Sequence, residues 1–307
     1  MMGWSNWMQR QRGRARRVYA DLVRRRSRVR VVIASEPTLA SIPIFIVGLF
    51  RSGTTLVRYI LGSHSNIACP GETTFLADMD RMLNDERSLA GFDAMGFDRS
   101  DVLSRARQFV AYFYENYARS RDKARWADKS PTYVDHLDFL AELFPDARFV
   151  LVVRNPLDQI HSHTQGGRLR PERLDRYGTT AEDPRILGAR YWNEKTLLLL
   201  DFANRNPSRC QMIGYEELCE EPEAVSRRLF DFLGEPWQPQ VLRFWEFDHD
   251  QGLEDSRIRT TRSISVSTGG YLEWPRGMIR ACRDIVRDTA TSVGYDSGVP
   301  EVPGSEP

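Results

Sequence analysis

The sequence contains few cysteines, no long apolar run and no recognisable leader. Its four cysteines show no paired spacing of the kind that binds a metal, so we expect reduced thiols, as in the cytoplasm. No apolar stretch approaches the roughly 20 residues that span a bilayer, and the chain does not open with a charged-then-apolar secretory signal. These absences predict a cytoplasmic protein and argue against a transmembrane or disulfide-stabilised one.

Charge is nearly balanced over the whole chain, with a net charge of +1, but it is unevenly distributed. Residues 1–30 contain ten arginines and one acid, Asp21, so the remainder is acidic on balance. Apolar residues within this arginine-rich part follow helical spacing. We therefore predict a basic, helical extension over residues 1–40. Two alternatives stay open for it: a solvated helix packed on the domain, which we favour, or peripheral contact with an anionic membrane.

The most informative stretch covers residues 42–61. Residues 42–47 form an apolar, β-branched run of strand length, which suits a sheet buried on both faces. Gly48 interrupts the run, a short turn follows, and apolar residues then recur at helical spacing. This strand–turn–helix layout is typical of a phosphate-binding loop. The backbone amides around Ser52, Gly53 and Thr54 are predicted to point at an anion, aided by the positive end of the helix.

The loop departs from that of nucleoside triphosphatases in one informative respect. Gly48 and Gly53 have the usual spacing, but Thr54 and Thr55 follow where a lysine and a hydroxyl residue would stand. The cation lies inside the loop instead, at Arg51, and no magnesium-binding aspartate is evident. The pattern indicates an anion site that needs no metal. The alternative is an ordinary strand–helix turn.

Residues 45–56, FIVGLFRSGTTL, resemble the 5′-phosphosulfate loop of sulfotransferases that use 3′-phosphoadenosine-5′-phosphosulfate (PAPS). They are most similar to the branch that contains tyrosylprotein sulfotransferases and many bacterial enzymes, although Phe50 stands where that branch usually has proline. The resemblance implies PAPS as the donor, no metal, and an α/β fold with a central parallel sheet flanked by helices, as in P-loop kinases. It also implies a set of donor contacts in the loop, namely Arg51, Ser52, Gly53, Thr54 and Thr55.

The same resemblance implies catalytic roles for two further charged residues, Glu72 and Lys129. Glu72 lies 21 residues after Arg51 and directly before Thr73, which is the family's position for the general base. The segment 125–132 (RWADKSPT) is interpreted as a short strand that runs into a turn. Its Lys129 matches the family's lysine that stabilises charge on the leaving oxygen. Each has a plainer alternative, because Glu72 could cap the helix that follows and Lys129 could be a surface cation.

Residues 147–153 form a second apolar strand that runs into Arg154 and a proline-opened helix. A helical pattern over residues 137–144 precedes this strand, and such alternation predicts a parallel sheet. Here the resemblance assigns Arg154 and Ser162 to the 3′-phosphate of the nucleotide. An arginine suits this role because its forked donors match a phosphate.

A further strand is predicted at residues 209–213, and the resemblance places Tyr215, just beyond it, against the adenine or its phosphate edge. A structural role at the end of the sheet is the alternative for Tyr215. Near the carboxyl end, Arg262 or Arg259 would close over the phosphates, and spacing alone does not decide between them.

Two intervening regions are harder to interpret. Residues 165–190 are rich in Gly, Pro and charge, which indicates a mobile segment or a short helix between loops. The resemblance implies a lid over the acceptor here, a solvated insertion is the alternative, and a helix is predicted over residues 191–203. Residues 75–121 have a helical pattern, and their aromatic residues are interpreted as helix packing rather than a ligand site. These residues are Phe109, Tyr112, Phe113, Tyr114 and Tyr117.

Taken together, the sequence predicts a domain over residues 41–295 and a disordered tail over residues 296–307. The predicted reaction moves a sulfuryl group from PAPS to a hydroxyl of a small metabolite, saccharide or glycolipid, with no nucleic acid partner. The rival hypotheses are an ATP-dependent small-molecule kinase and a non-catalytic nucleotide-binding protein. The identity of the acceptor and the oligomeric state stay open.

Overall fold

The computed structural model describes residues 41–165, 174–179, 181–250, 258 and 260–295. The predicted basic extension over residues 1–40 and the predicted tail over residues 296–307 lie outside the described residues. None of the helices in the described ranges is long and apolar enough to cross a membrane.

A five-stranded parallel sheet forms the centre of the protein, in the order β2-β3-β1-β4-β5. This confirms the predicted fold class, and the predicted strands occur within two residues of their expected bounds. The exception is β2, a two-residue strand that no apolar run announces. The strands are β1 (Ile44–Gly48), β2 (Ile67–Ala68), β3 (Arg125–Lys129), β4 (Arg148–Val153) and β5 (Cys210–Gly214).

Strand β1 occupies the middle of the sheet because every one of its residues is apolar or glycine and is buried on both faces. Its neighbours are β3, with Ile46 opposite Lys129, and β4, with Gly48 opposite Val152. Since all strands are parallel, the residues that follow β1, β3, β4 and β5 meet at the same edge of the sheet. Ligand sites in parallel α/β sheets lie at this edge.

Ten helices in the described ranges surround the sheet and cover both faces, each face with its own apolar cluster. They are α1 (Thr54–Gly62), α2 (Phe75–Asn84), α3 (Glu86–Ala94), α4 (Arg99–Ser120), α5 (Leu137–Leu143), α6 (Pro156–Thr164), α7 (Pro184–Arg205), α8 (Tyr215–Glu220), α9 (Pro222–Leu233) and α10 (Arg276–Ser292).

The region between α6 and α7 is shorter than the sequence indicated. Helix α7 begins at Pro184, seven residues before the predicted start, and Asp183 caps it by accepting a hydrogen bond from the amide of Arg185 at 2.9 Å. An aspartate followed by proline is a standard helix start, and the surrounding charge obscured it. The predicted helix start at residue 191 is therefore wrong. Residues 166–173, which belong to the predicted lid, lie outside the described residues.

The aromatic residues of α4 do not pack as a group. Tyr114 is buried and stacks on Trp126 with ring centroids 4.3 Å apart. Phe109, Tyr112 and Phe113 are 54%, 66% and 51% exposed. Interpreting all of them as packing is wrong, because neighbouring positions on a helix point in different directions and only one stripe faces the core.

The four cysteines are free thiols, as expected. Burial raises the pKa of Cys69 to about 12 and that of Cys210, Cys219 and Cys282 to about 11, from an ordinary value of 9.0. Since the thiolate is the reactive form, we expect native protein at pH 8 to be alkylated by iodoacetamide about 10²-fold more slowly than protein unfolded in guanidinium. Mass spectrometry over time measures this. Rapid modification of the folded protein would contradict the burial of the thiols.

Candidate functional site

The loop between β1 and α1 has the backbone of an anion-binding turn. Arg51 and Gly53 both have positive φ, 70° and 99°, a conformation that turns successive amides toward one point. The first backbone hydrogen bond of α1 runs from Leu56 to the carbonyl of Gly53, at 2.9 Å. The amides of residues 53–55 precede it, and such leading amides are the ones that bind anions at helix starts.

Close contacts leave no room for a side chain at either glycine of the loop. A Cβ on Gly48 would lie 2.5 Å from the carbonyl oxygen of Val152 on β4. A Cβ on Gly53 would lie 2.4 Å from the ring of Tyr215. Tyr215 therefore packs directly against the loop. Burial raises the pKa of this tyrosine to about 12, so its hydroxyl is protonated at neutral pH.

The side chain of Ser52 is fully buried in this loop, and its Oγ has no hydrogen-bond partner within the described residues. Buried hydroxyl groups are nearly always hydrogen-bonded in folded proteins. An unsatisfied hydroxyl beside the leading amides of a helix fits a site whose missing partner is an anionic ligand.

Helix α6 holds the loop in place from the neighbouring strand. Gln159 donates to the carbonyl of Phe50 at 2.8 Å and accepts from the indole of Trp192 at 3.0 Å. Arg51 Nε donates to the Oγ of Ser162 at 3.0 Å. The Phe50 ring also stacks on His163 with centroids 6.0 Å apart. Side-chain contacts from α6 therefore restrain the loop. Sequence reasoning missed Gln159 because a single glutamine in a helix forms no recognisable pattern.

Arg154 joins the loop to the carboxyl-terminal segment. Its guanidinium donates to the carbonyls of Arg51, at 3.0 Å, and of Ser267, and it lies over the ring of Tyr215 at 4.5 Å from the centroid. Its Nε is buried 3.9 Å from a carboxylate oxygen of Glu216 and has no hydrogen-bond partner in the part of the chain that the structure describes. The structure thus brings Arg51, Ser162, Arg154 and Tyr215 together around one loop.

The carboxyl-terminal segment lies against α6, since the amide of Gly269 donates to Asp158 at 2.6 Å. Burial raises the pKa of this aspartate. Arg262, which lies seven residues before Gly269 in this segment, is exposed. Its Nη1 donates to the carbonyl of Thr261 at 3.2 Å. Its contact with a nucleotide phosphate therefore stays a prediction. Arg259 lies outside the described residues.

Glu72 and Lys129 form a buried ion pair, with Lys129 Nζ 3.0 Å from a carboxylate oxygen of Glu72. Only 1% of the lysine side chain and 9% of the glutamate side chain are exposed. The alternative of a surface cation at Lys129 is therefore wrong. Glu72 does not cap α2 either, since Thr74 occupies that position. Buried ion pairs stabilise folds only weakly, so stability alone gives little reason for this pair at the ligand edge of the sheet.

The segment that carries Glu72 is anchored by a residue that sequence reasoning missed. Arg58, fully buried on α1, donates to the carbonyl of Pro70 at 2.8 Å and to that of Cys69 at 3.4 Å. The sequence did contain a sign of this role, because Arg58 interrupts an otherwise apolar helix face. Arg58 therefore links the phosphate-loop helix to the approach of the candidate base.

A family model described as "Sulfotransferase family" matches residues 43–239, well over half of the chain. The chain belongs to the sulfotransferase family. The matched range contains every candidate site residue of this sulfotransferase except Arg262 and its alternative, Arg259. The resemblance seen in the sequence is thereby confirmed.

Similar proteins agree with this assignment. The chain is 28% identical to protein-tyrosine sulfotransferase A of Caenorhabditis elegans, over 82% of this chain and 67% of that protein. It is 25% identical to a protein-tyrosine sulfotransferase of Drosophila melanogaster, over 82% of this chain, and spans about half (51%) of that relative's length. Its fold is similar to that of the sulfotransferase domain from the curacin biosynthetic pathway, with a TM-score of 0.56, 23% identity and coverage of 82% of this chain and 97% of that domain.

Proposed function

We propose that this sulfotransferase moves the sulfuryl group of PAPS to an acceptor hydroxyl. The observation that carries the proposal is the buried Glu72–Lys129 pair. Its lysine ends β3, the strand next to β1, and β1 leads into the loop that we propose binds the anion. A carboxylate next to a transferable sulfuryl group is what deprotonation of an attacking hydroxyl requires. The ammonium group and Arg51 supply the positive charge that a metal supplies in phosphoryl transfer.

The residues present fit such a donor. Its 5′-phosphosulfate would be held by the loop amides, by the unsatisfied Oγ of Ser52 and by Arg51, together with Thr54 and Thr55. Its 3′-phosphate would be held by Arg154, through the unsatisfied Nε, and by Ser162. We place the adenine near Tyr215 and keep Arg262 as a further phosphate contact.

The donor supplies a sulfuryl group attached to phosphate, which is a good leaving group. Glu72 would take the proton of the acceptor hydroxyl as that oxygen forms a bond to sulfur. Lys129 and Arg51 would stabilise the negative charge on the phosphate oxygen as its bond to sulfur breaks and it keeps the electron pair. Because Lys129 contacts Glu72 in this structure, a sulfonate that draws the ammonium away would leave the carboxylate free to act as the base.

We propose that the acceptor is a hydroxyl of a small metabolite, saccharide or glycolipid, on the chemistry of the reaction alone. The relatives' names add the phenol of protein tyrosine as a candidate. All of these share an alcohol or phenol proton for Glu72 to remove. A screen with labelled PAPS and representatives of each class identifies the acceptor.

Calorimetric titration with adenosine 3′,5′-bisphosphate, run beside Mg-ATP, tests the donor site. We expect tight binding of the bisphosphate only, and a loss of affinity of at least about 10²-fold in Arg154→Ala, because charge-assisted contacts to the phosphate disappear. Arg228→Ala, which alters a surface ion pair with Glu217, serves as the control and should bind normally. Preference for Mg-ATP would favour a kinase, and indifference to Arg154 would refute the assigned phosphate contact.

A further inference from the structure

Behind the Glu72–Lys129 pair lies a cluster of four hydrogen-bonded polar side chains, Thr73, Tyr114, Asp128 and Tyr133. Thr73 Oγ1 donates to both carboxylate oxygens of Asp128 at 3.0 Å, and its distance to the hydroxyl of Tyr114 is 2.8 Å. Tyr133 donates to Asp128 at 2.5 Å. Because Thr73 gives its single proton to the carboxylate, it accepts the bond from Tyr114.

The cluster connects the backbones of the two candidate catalytic residues. Thr73 directly follows Glu72, and Asp128 directly precedes Lys129. The carboxylate of Asp128 also accepts a hydrogen bond from the amide of Lys129, at 2.9 Å. One carboxylate therefore holds both chain segments, which are 57 residues apart in sequence.

The two segments differ in how strongly contacts outside the cluster restrain their backbones. Lys129 ends β3 and is restrained by pairing with β1. Residues 69–74 form neither helix nor strand, so the orientation of Glu72 depends on side-chain contacts. Arg58 restrains the start of this stretch, through the carbonyl of Pro70. The hydroxyl of Thr73 restrains it immediately beyond Glu72.

Stability alone does not account for the cluster. Asp128 is fully buried, and its hydrogen-bond donors are hydroxyl groups and a backbone amide. Burial raises the pKa of the aspartate and raises the pKa of Tyr114 and Tyr133 well above the ordinary value. Burying a carboxylate costs free energy, and an apolar core would serve the fold at least as well. A polar network that is fully hydrogen-bonded confers a unique geometry instead.

We propose that Thr73 and Asp128 are positioning residues, which together set the orientation of Glu72 relative to Lys129. The proposal rests on the proposed function, in which Glu72 is the base. A general base must lie within hydrogen-bond reach of its proton, and a misplacement of about 1 Å can cost about 10²-fold in rate. The hydroxyl of Thr73 is thus a requirement for turnover rather than for donor binding.

Thr73→Val tests this role because it keeps the shape of the side chain and removes only the hydroxyl. We expect kcat to fall by about 10–10²-fold, while KM for PAPS and Kd for adenosine 3′,5′-bisphosphate stay within about twofold, since no loop residue is altered. Thr73→Ser should restore kcat to within about threefold of wild type. The matched control is Thr74→Val, at the adjacent exposed position where the side chain forms no cap hydrogen bond.

Three results would overturn the proposal: an unchanged kcat in Thr73→Val, equal losses in the valine and serine variants, or a parallel loss in Thr74→Val. If Thr73→Val does not fold, Tyr133→Phe removes another donor to the same carboxylate and should lower kcat in the same selective way. An unchanged kcat in Tyr133→Phe would then count against the cluster.

Amide hydrogen exchange of residues 71–75 provides a readout that does not depend on turnover. We expect faster amide exchange in Thr73→Val than in wild type, Thr73→Ser or Thr74→Val, because the segment loses its attachment to Asp128. If the wild-type protein transfers no sulfate, the proposed function fails, and exchange still decides whether Thr73 restrains Glu72. Equal exchange rates in all four proteins would refute that restraint.

Discussion

Replacing Glu72 by glutamine is expected to lower turnover with PAPS by about 10²-fold or more, while adenosine 3′,5′-bisphosphate still binds. The amide has nearly the size of the carboxylate but cannot take the proton of the acceptor hydroxyl. It also removes the charge that pairs with Lys129. Steady-state kinetics measures turnover, and calorimetry measures binding of the bisphosphate.

The loss of a buried ion pair has structural effects of its own, so the control removes a comparable pair elsewhere. Glu235 contacts Arg125 at 2.9 Å with both side chains largely buried, outside the proposed donor site. Glu235→Gln should therefore change stability without a selective fall in turnover. If Glu72→Gln folds normally and turns over at near the wild-type rate, Glu72 is not the general base.

Replacing Gly53 by alanine is expected to lower affinity for adenosine 3′,5′-bisphosphate by at least about 10²-fold. The residue has a φ of 99°, which costs an alanine roughly 1–2 kcal/mol. The added Cβ would also lie 2.4 Å from the ring of Tyr215, so either the loop or the tyrosine must move. Both changes displace the amides that we propose as donor contacts, and calorimetry with the bisphosphate measures the result.

A second glycine provides the matched control for this substitution. Gly277, near the start of α10, has open space around the position of a Cβ. Gly277→Ala should bind the bisphosphate like wild type and gain slightly in stability, since alanine favours a helix. Normal binding by Gly53→Ala would show that the loop tolerates displacement and would argue against it as the site of the phosphosulfate.

Much of the fold could be predicted because its signals are local. The continuous apolar runs of β1 and β4 indicate strands that are buried on both faces. Strands that alternate with helices along the chain form a parallel sheet. The start of α7 at Pro184 was equally local but was missed, since charged neighbours obscured its aspartate cap. Strand β2 carries too few residues for any pattern, and its pairing with β3 decides its conformation.

The candidate site also has a part that could be predicted from local sequence and a part that could not. Residues in the turn between β1 and α1 could be identified from their order alone, because glycine spacing and the following helix specify an anion-binding backbone. Residue order does not show contacts between distant segments, such as Gln159 with the carbonyl of Phe50. No pattern in the sequence points to that glutamine.

Residue order alone gives the chemical groups that this sulfotransferase has available and most of its strands and helices, with β2 and the start of α7 as the exceptions. Only the tertiary structure decided that Glu72 contacts Lys129 and that Asp128 holds both segments in place. The physical reason is that local conformation follows from side-chain pattern and backbone preference within a few residues. The mutual orientation of groups 57 residues apart depends instead on the register of the sheet and on buried hydrogen bonds, which exist only once the chain has packed.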